Sequence, residues 1–272
     1  MGRASQKTAV QTCSSRSPRR EGTTSRSAGR LRLRNLPRPK YVLIACQPKT
    51  GSTFLTTSIG TLPRAKVVSL VPGYDRREQE LCESRIGRLK HRLYRLLVAQ
   101  HHVRCSEPTK ELVAKHDMAV VVLRRNLYDA VVSLRDHVRM ESIVFPMMYF
   151  LPQHTDLADE DLEQIIAQLA IPWYLNFHIS WREFPGAFSL DYMAIAKSPV
   201  DTMMAICDFA GRPCTVEEAR TASASSLGTR TRLNVGVSGR GEELSDRTKD
   251  IIRSQVSAYA RISSDPYLES HL

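Results

Sequence analysis

The chain has 272 residues, 42% of them hydrophobic, enough to bury one sizeable core, and its formal net charge is +11. That charge is concentrated. Residues 1–40 hold 11 basic residues, Arg3 through Lys40, against the single acid Glu21, which leaves 28 basic and 27 acidic residues over 41–272. A nearly neutral body argues against a nucleic-acid partner, and no run of 18 apolar residues is present to span a bilayer.

Residues 1–40 are rich in Ser, Thr, Arg and Gly and show no apolar periodicity. Such a segment cannot bury enough surface to offset its ordering entropy, so it reads as a disordered basic tail. A cleaved transit peptide is the second reading, because the segment is Arg- and Ser-rich and poor in acids. No apolar stretch follows Met1, which argues against a secretory signal. The six cysteines (Cys13, Cys46, Cys82, Cys105, Cys207 and Cys214) lack CxxC spacing. They read as reduced packing residues of a soluble, cytoplasmic protein, with no metal site expected.

Order is expected from Tyr41, after Pro37 and Pro39. Tyr41–Cys46 is a continuous apolar run suited to a parallel strand buried on both faces. A turn and a helix over Ser52–Ile59 follow, then a second strand over Lys66–Val71. Leu81, Ile86, Leu89, Leu93, Leu96 and Leu97 predict an amphipathic helix over 75–99. His102–Ser106 reads as a third strand and Met118–Leu123 as a fourth, followed by a helix over Tyr128–Arg139. A long helix over 159–181, a last strand over Ala187–Leu190 and helices near 199–210, 215–223 and 244–260 complete the chain. Strands alternating with helices predict an α/β fold, a parallel β-sheet flanked by helices on both faces.

Two loops carry chemistry. Gln47-Pro48-Lys49-Thr50-Gly51-Ser52-Thr53-Phe54 lies between a buried strand and a helix. Gly51 lets the backbone approach a ligand, the amides opening the helix face an anion, and Lys49 adds a positive charge. The Walker A pattern GxxxxGK[ST] is absent. The fourth strand ends in Arg124-Arg125, where an NTPase often places an acid for magnesium. Arg125 starts the second loop and can fork two donors onto a phosphate. Ser133 lies eight residues on, just over two helical turns. Taken alone, each segment also has a plain reading as a capping arginine, a surface serine or a helix start.

Together the two segments resemble the sulfotransferases that use 3'-phosphoadenosine 5'-phosphosulfate (PAPS). Pro48-Lys49-Thr50-Gly51-Ser52-Thr53 is similar to that family's 5'-phosphosulfate loop. Arg125 through Ser133 is similar to its 3'-phosphate motif, with Leu127 in place of a proline. Arg232-Leu233-Asn234-Val235-Gly236-Val237-Ser238-Gly239-Arg240-Gly241 resembles the family's C-terminal Arg-Lys-Gly-x-x-Gly loop, although Asn234 and Val235 replace the basic pair. Asp191-Tyr192 matches part of a strand-exit segment.

The resemblance implies a sulfotransferase domain over 41–272 with a P-loop NTPase-like fold. It also implies PAPS as co-substrate, adenosine 3',5'-bisphosphate (PAP) as product, no metal, and a small-molecule, lipid or glycan acceptor. Lys49 would neutralise the leaving oxygen. Thr50, Gly51, Ser52 and Thr53 would hold the 5'-phosphosulfate, with Phe54 stacked on adenine or packed in the core. Arg125, Ser133, Tyr192, Arg232, Gly236, Gly239 and Arg240 would complete the nucleotide site, Arg232 or Arg240 supplying the missing charge. His102, about 23 residues before Arg125, is the candidate base, with Glu107 as the alternative. Ile143–Leu151 is either an acceptor wall or helix packing. The rival readings are a P-loop nucleotide kinase or NTPase and a non-catalytic nucleotide-binding protein of the same fold.

Overall fold

The computed structural model describes residues 40–73, 78–88, 94–227, 239–260 and 264–271. Among these, five strands form one parallel sheet: β1 (Lys40–Cys46), β2 (Ala65–Val67), β3 (Leu96–His101), β4 (Ala119–Arg124) and β5 (Phe188–Asp191). Their order is β2-β3-β1-β4-β5, which puts β1 at the centre. The expected parallel sheet with helices on both faces is the architecture found.

The strands are apolar along their length because both faces are covered, and the side-chain period of two sorts the residues between faces. Leu43 and Ala45 of β1, Ala99 of β3 and Val120 and Val122 of β4 point into one core. That core also takes side chains from α4 (Leu127–Met140), α5 (Asp159–Arg182) and α9 (Asp246–Ala260). Val42, Ile44 and Cys46 of β1 point the other way, with Leu96, Val98, Val121 and Leu123. They meet α1 (Ser52–Gly60), α6 (Tyr192–Lys197), α7 (Pro199–Phe209) and α8 (Val216–Leu227).

The middle of the sequence departs from expectation. In place of a helix over 75–99, the described residues hold the single short helix α2 (Glu83–Arg88), and Leu96–Leu97 open β3. The leucine spacing fits a helix, but Leu96–Val98 pair with Lys40–Val42 of β1, and that tertiary pairing decides the segment. The third strand therefore ends at His101 instead of starting at His102. Ser106 then caps α3 (Glu107–Lys115) by accepting from the Thr109 amide at 3.3 Å, a helix the sequence reading missed. β2 is also shorter than Lys66–Val71. Residues 1–39, which include nearly all of the basic tail, lie outside the described residues.

Phe145, Met148 and Phe150 are buried in the first core, so these residues of Ile143–Leu151 are helix packing, while Tyr149 is exposed. No helix among the described residues is long and apolar enough to cross a membrane.

The chain closes back on α4. Asp129 accepts backbone hydrogen bonds from Gly239 at 3.1 Å and Gly241 at 2.8 Å. A Cβ on Gly241 would fall 2.3 Å from Tyr128 Cβ and 2.8 Å from the Asp129 amide, so only glycine lets this turn reach the helix. Gly241→Ala is therefore expected to destabilise the fold by about 1–3 kcal/mol, read as a lower urea midpoint at unchanged slope.

Candidate active site

Parallel strands deliver their C-terminal ends to one edge of the sheet, where ligands of open α/β folds bind. β1 runs into Gln47–Gly51, β3 into His102, β4 into Arg125 and β5 into Tyr192. The candidate residues of both sequence motifs therefore gather on one edge.

The loop after β1 is set by its backbone. Gly51 caps α1 at φ 73° in the left-handed region, and Lys49 also lies there at φ 62°, a conformation costly for a residue with a Cβ. Gly51 offers no side chain to the first amides of α1, so the Ser52, Thr53 and Phe54 N–H groups have no side-chain cap at the N-terminus. Thr50 is buried, and its hydroxyl donates to the Gln47 carbonyl at 2.8 Å, closing the turn. Tyr174 of α5 donates to the Pro48 carbonyl at 2.7 Å.

Gln47 ties this loop to the next one. Its amide nitrogen donates to the Tyr174 carbonyl at 3.1 Å, and its Oε1 accepts from the Arg125 backbone N–H at 3.1 Å. Arg125 is 6% exposed. Its guanidinium donates to the Lys49 carbonyl at 2.8 Å and lies 4.2 Å above the Tyr192 ring. Its Nε is buried with no hydrogen-bond partner among the described residues. An orphaned donor on a buried cation is costly, and an anion would satisfy it. Asn126 caps α4 by accepting from the Asp129 amide at 3.1 Å, and Ser133 lies half-buried on that helix.

The two neighbouring histidines differ. His101 is buried, and its Nε2 accepts from the Leu70 amide at 2.9 Å. Burial, helped by neighbouring His102, pushes its pKa from 6.5 down to about 3, so it is a neutral structural group. His102 is half-buried, with Nδ1 at 2.8 Å from the Cys46 carbonyl. A carbonyl only accepts, so Nδ1 carries a proton and donates it there. Glu107 opens α3, its side chain 79% exposed and paired with Lys110 at 2.7 Å, so it faces solvent.

Lys49 Nζ lies 3.4 Å from both His137 Nδ1 and Glu141 Oε1. The remaining candidates sit in different surroundings. Phe54 is 1% exposed inside the second core, the packing reading of that residue. Tyr192 is buried under Arg125, where it supports the guanidinium. Gly239 is left-handed at φ 88°, and Arg240 pairs with Asp136 at 2.7 Å. Arg232 and Gly236 lie outside the described residues.

Sequence reading missed the frame around these groups. Tyr267 of α10 (Pro266–Glu269) donates to the Arg125 carbonyl at 3.0 Å, and His271 Nε2 accepts from the Leu127 amide at 3.0 Å. His178 pairs with Asp265 at 2.7 Å and holds Arg124 at 3.1 Å. The only local hint is the Tyr267–His271 spacing of four. Gln47 carried none, because a polar residue in a loop is ordinarily solvated.

This sheet, its two covering layers and its loop edge make up the α/β fold of the sulfotransferases. Mouse sulfotransferase SULT7A1 complexed with PAP matches at a TM-score of 0.61 over 88% of this chain and 93% of its own, with 16% identity. Retinol dehydratase in complex with androsterone and inactive cofactor PAP matches at 0.54 over 86% and 84%, with 15% identity. At such identities the likeness is one of fold. No family model matches the chain, and no curated protein matches it in sequence.

The depressed His101 makes stability depend on pH. Native His101 stays neutral while unfolded His101 protonates below about 6.5, so its contribution is complete above that pH and is lost as pH falls toward about 3. Wild-type stability should fall by up to about 1.4 kcal/mol per pH unit across this window from this group alone. In His101→Gln, whose amide oxygen can still accept from Leu70, denaturant titrations between pH 4 and 6 should show a shallower slope.

Proposed function

We propose that the chain is a PAPS-dependent sulfotransferase, transferring a sulfuryl group to a hydroxyl or amine of a small-molecule, lipid or glycan acceptor and releasing PAP. The observation that carries this reading is the buried Arg125 guanidinium, one donor still unmatched, fixed to the carbonyl of the lysine in the glycine loop. A nucleotide with phosphates at both its 3' and 5' positions suits this arrangement. Arg125 and Ser133 would take the 3'-phosphate, and the first amides of α1 with Lys49 would take the 5' end.

PAPS, when bound, supplies an activated sulfuryl group on a stable phosphate leaving group. Lys49 then sets its ammonium against the charge that grows on the departing oxygen, an electrostatic effect needing no metal. His102 Nε2 takes the acceptor's proton as the new bond to sulfur forms, while the Nδ1–H donated to the Cys46 carbonyl fixes the ring. The resting place of Glu107, on the surface beside Lys110, favours His102 over it. The basic pair Arg124-Arg125 at the end of β4 weighs against a magnesium-dependent kinase or NTPase.

Arg125→Ala is expected to weaken PAP binding by about 1.5–3 kcal/mol in calorimetry, the value of hydrogen bonds to a charged group. His102→Ala should lower single-turnover transfer from labelled PAPS by on the order of 100-fold while PAP affinity stays within about a factor of two. Unchanged PAP affinity in Arg125→Ala would refute the nucleotide site. Normal turnover in His102→Ala with an inactive Glu107→Gln would move the base to the carboxylate.

A further inference from the structure

A cleft of about 430 Å³ opens beside the candidate site, within the range of small-molecule sites, about 300–1,000 Å³. Its walls are residues 78–80, the chain from Arg104 into α3, and one side of α5. Asn176, Ile179 and Ser180 line it from α5, roughly 120–160° around the helix from Tyr174, which serves the glycine loop. No residue of the two nucleotide loops lines the cleft, so it is a separate space. Gln79 joins it to the candidate base. This residue lines the cleft, bridges to Val103, and accepts from the His102 backbone N–H at 2.8 Å. Arg104, two residues past His102, is already cleft wall, so base and cleft are offset by roughly 7 Å of extended chain.

The wall is held in place and still offers unmatched polar groups. Glu78 Oε1 accepts from Trp173 Nε1 at 3.1 Å and pairs with Arg104 Nε at 2.6 Å, while Ser180 accepts from the Cys105 amide at 3.0 Å. Among the described residues, the Nη groups of Arg104, the Glu80 carboxylate and the Asn176 Nδ2 have no partner. Carboxylate oxygens accept, guanidinium and amide nitrogens donate, and a hydroxyl does both, so a hydroxyl-rich ligand satisfies all three. Ile179 and Cys105 are the apolar members of this lining. A flat apolar ligand would therefore strip water from the remaining groups without replacing it. An anionic ligand meets the Glu80 carboxylate, because Arg104 is already paired with Glu78.

Resting on the sulfotransferase reading, we propose that the cleft is a subsite for a neutral sugar unit, which makes the acceptor an oligosaccharide. One unit presents its hydroxyl at His102, and the neighbouring unit lies in the cleft. The offset between base and cleft calls for that second unit: the ring reacting at His102 leaves the wall from Arg104 onward to its neighbour. In the transfer, the hydroxyl oxygen bonds to sulfur, the bridging S–O bond breaks, and the proton passes to His102.

The test presents the full chain, fluorescently labelled and saturated with PAP, to an array of unsulfated neutral mono- to tetrasaccharides. At least one di- or larger saccharide should bind, and its component monosaccharides should bind at least about tenfold more weakly. Glu80 and Asn176 are exposed, so their replacement leaves the core intact. Glu80→Ala and Asn176→Ala should each weaken sugar binding by about five- to tenfold while PAP affinity in calorimetry stays within about a factor of two. The bound oligosaccharide should also take label from PAPS, and His102→Ala should lose that transfer but keep the binding. No binding to any sugar of the array, binding unchanged by both substitutions, or a bound sugar that takes no label although PAP binds would each overturn the subsite. A chain that binds no PAP refutes the sulfotransferase reading first, and the two failures are thereby told apart.

Discussion

The hydrogen bond from the Arg125 guanidinium to the Lys49 carbonyl is the contact on which the candidate site depends. It joins the loop after β1 to the loop after β4, just beyond the point where these neighbouring strands stop pairing. Gln47 makes the same join through the Arg125 backbone amide, and Tyr267 braces it by donating to the Arg125 carbonyl. Burial of the cation makes these bonds strong, since little water competes for the donors. The same burial makes the orphaned Nε costly, a cost that an anionic ligand would relieve.

Lys49 shows the same coupling from the other side. Its left-handed backbone turns its carbonyl toward Arg125 while its side chain runs out to His137 and Glu141. Such a conformation persists only where surrounding contacts over-determine it, and here Tyr174 on Pro48, Thr50 on Gln47 and Arg125 on Lys49 do so. The residue that would do chemistry is thus held by its main chain and movable at its ammonium. A carboxylate and an imidazole set where that ammonium rests.

The parallel sheet was legible because both-face burial writes continuous apolar runs, and Tyr41–Cys46 and Met118–Leu123 fell nearly in place. The 75–99 segment was not, since its leucines satisfy a helical period and only pairing with β1 reveals a strand. The two anion loops could be read from short local patterns because helix starts and glycine turns are local physics. What braces them could not be. Tyr267 and His271 act across more than a hundred residues of chain and Asp265 across 87, and Gln47 is distinguished only by its burial. For Phe54, where adenine stacking and core packing were both open, the core reading holds because α1 packs that side on β1.

Whether these loops hold a 3'-phosphorylated sulfonucleotide or an ordinary triphosphate is decided most directly by calorimetry. The full chain is titrated with PAP in EDTA, and with ATP and GTP each with and without magnesium. A site built on Arg125 and the α1 amides should bind PAP tightly without metal and bind the triphosphates much more weakly under either condition. Magnesium-dependent binding of ATP or GTP with no binding of PAP would contradict it.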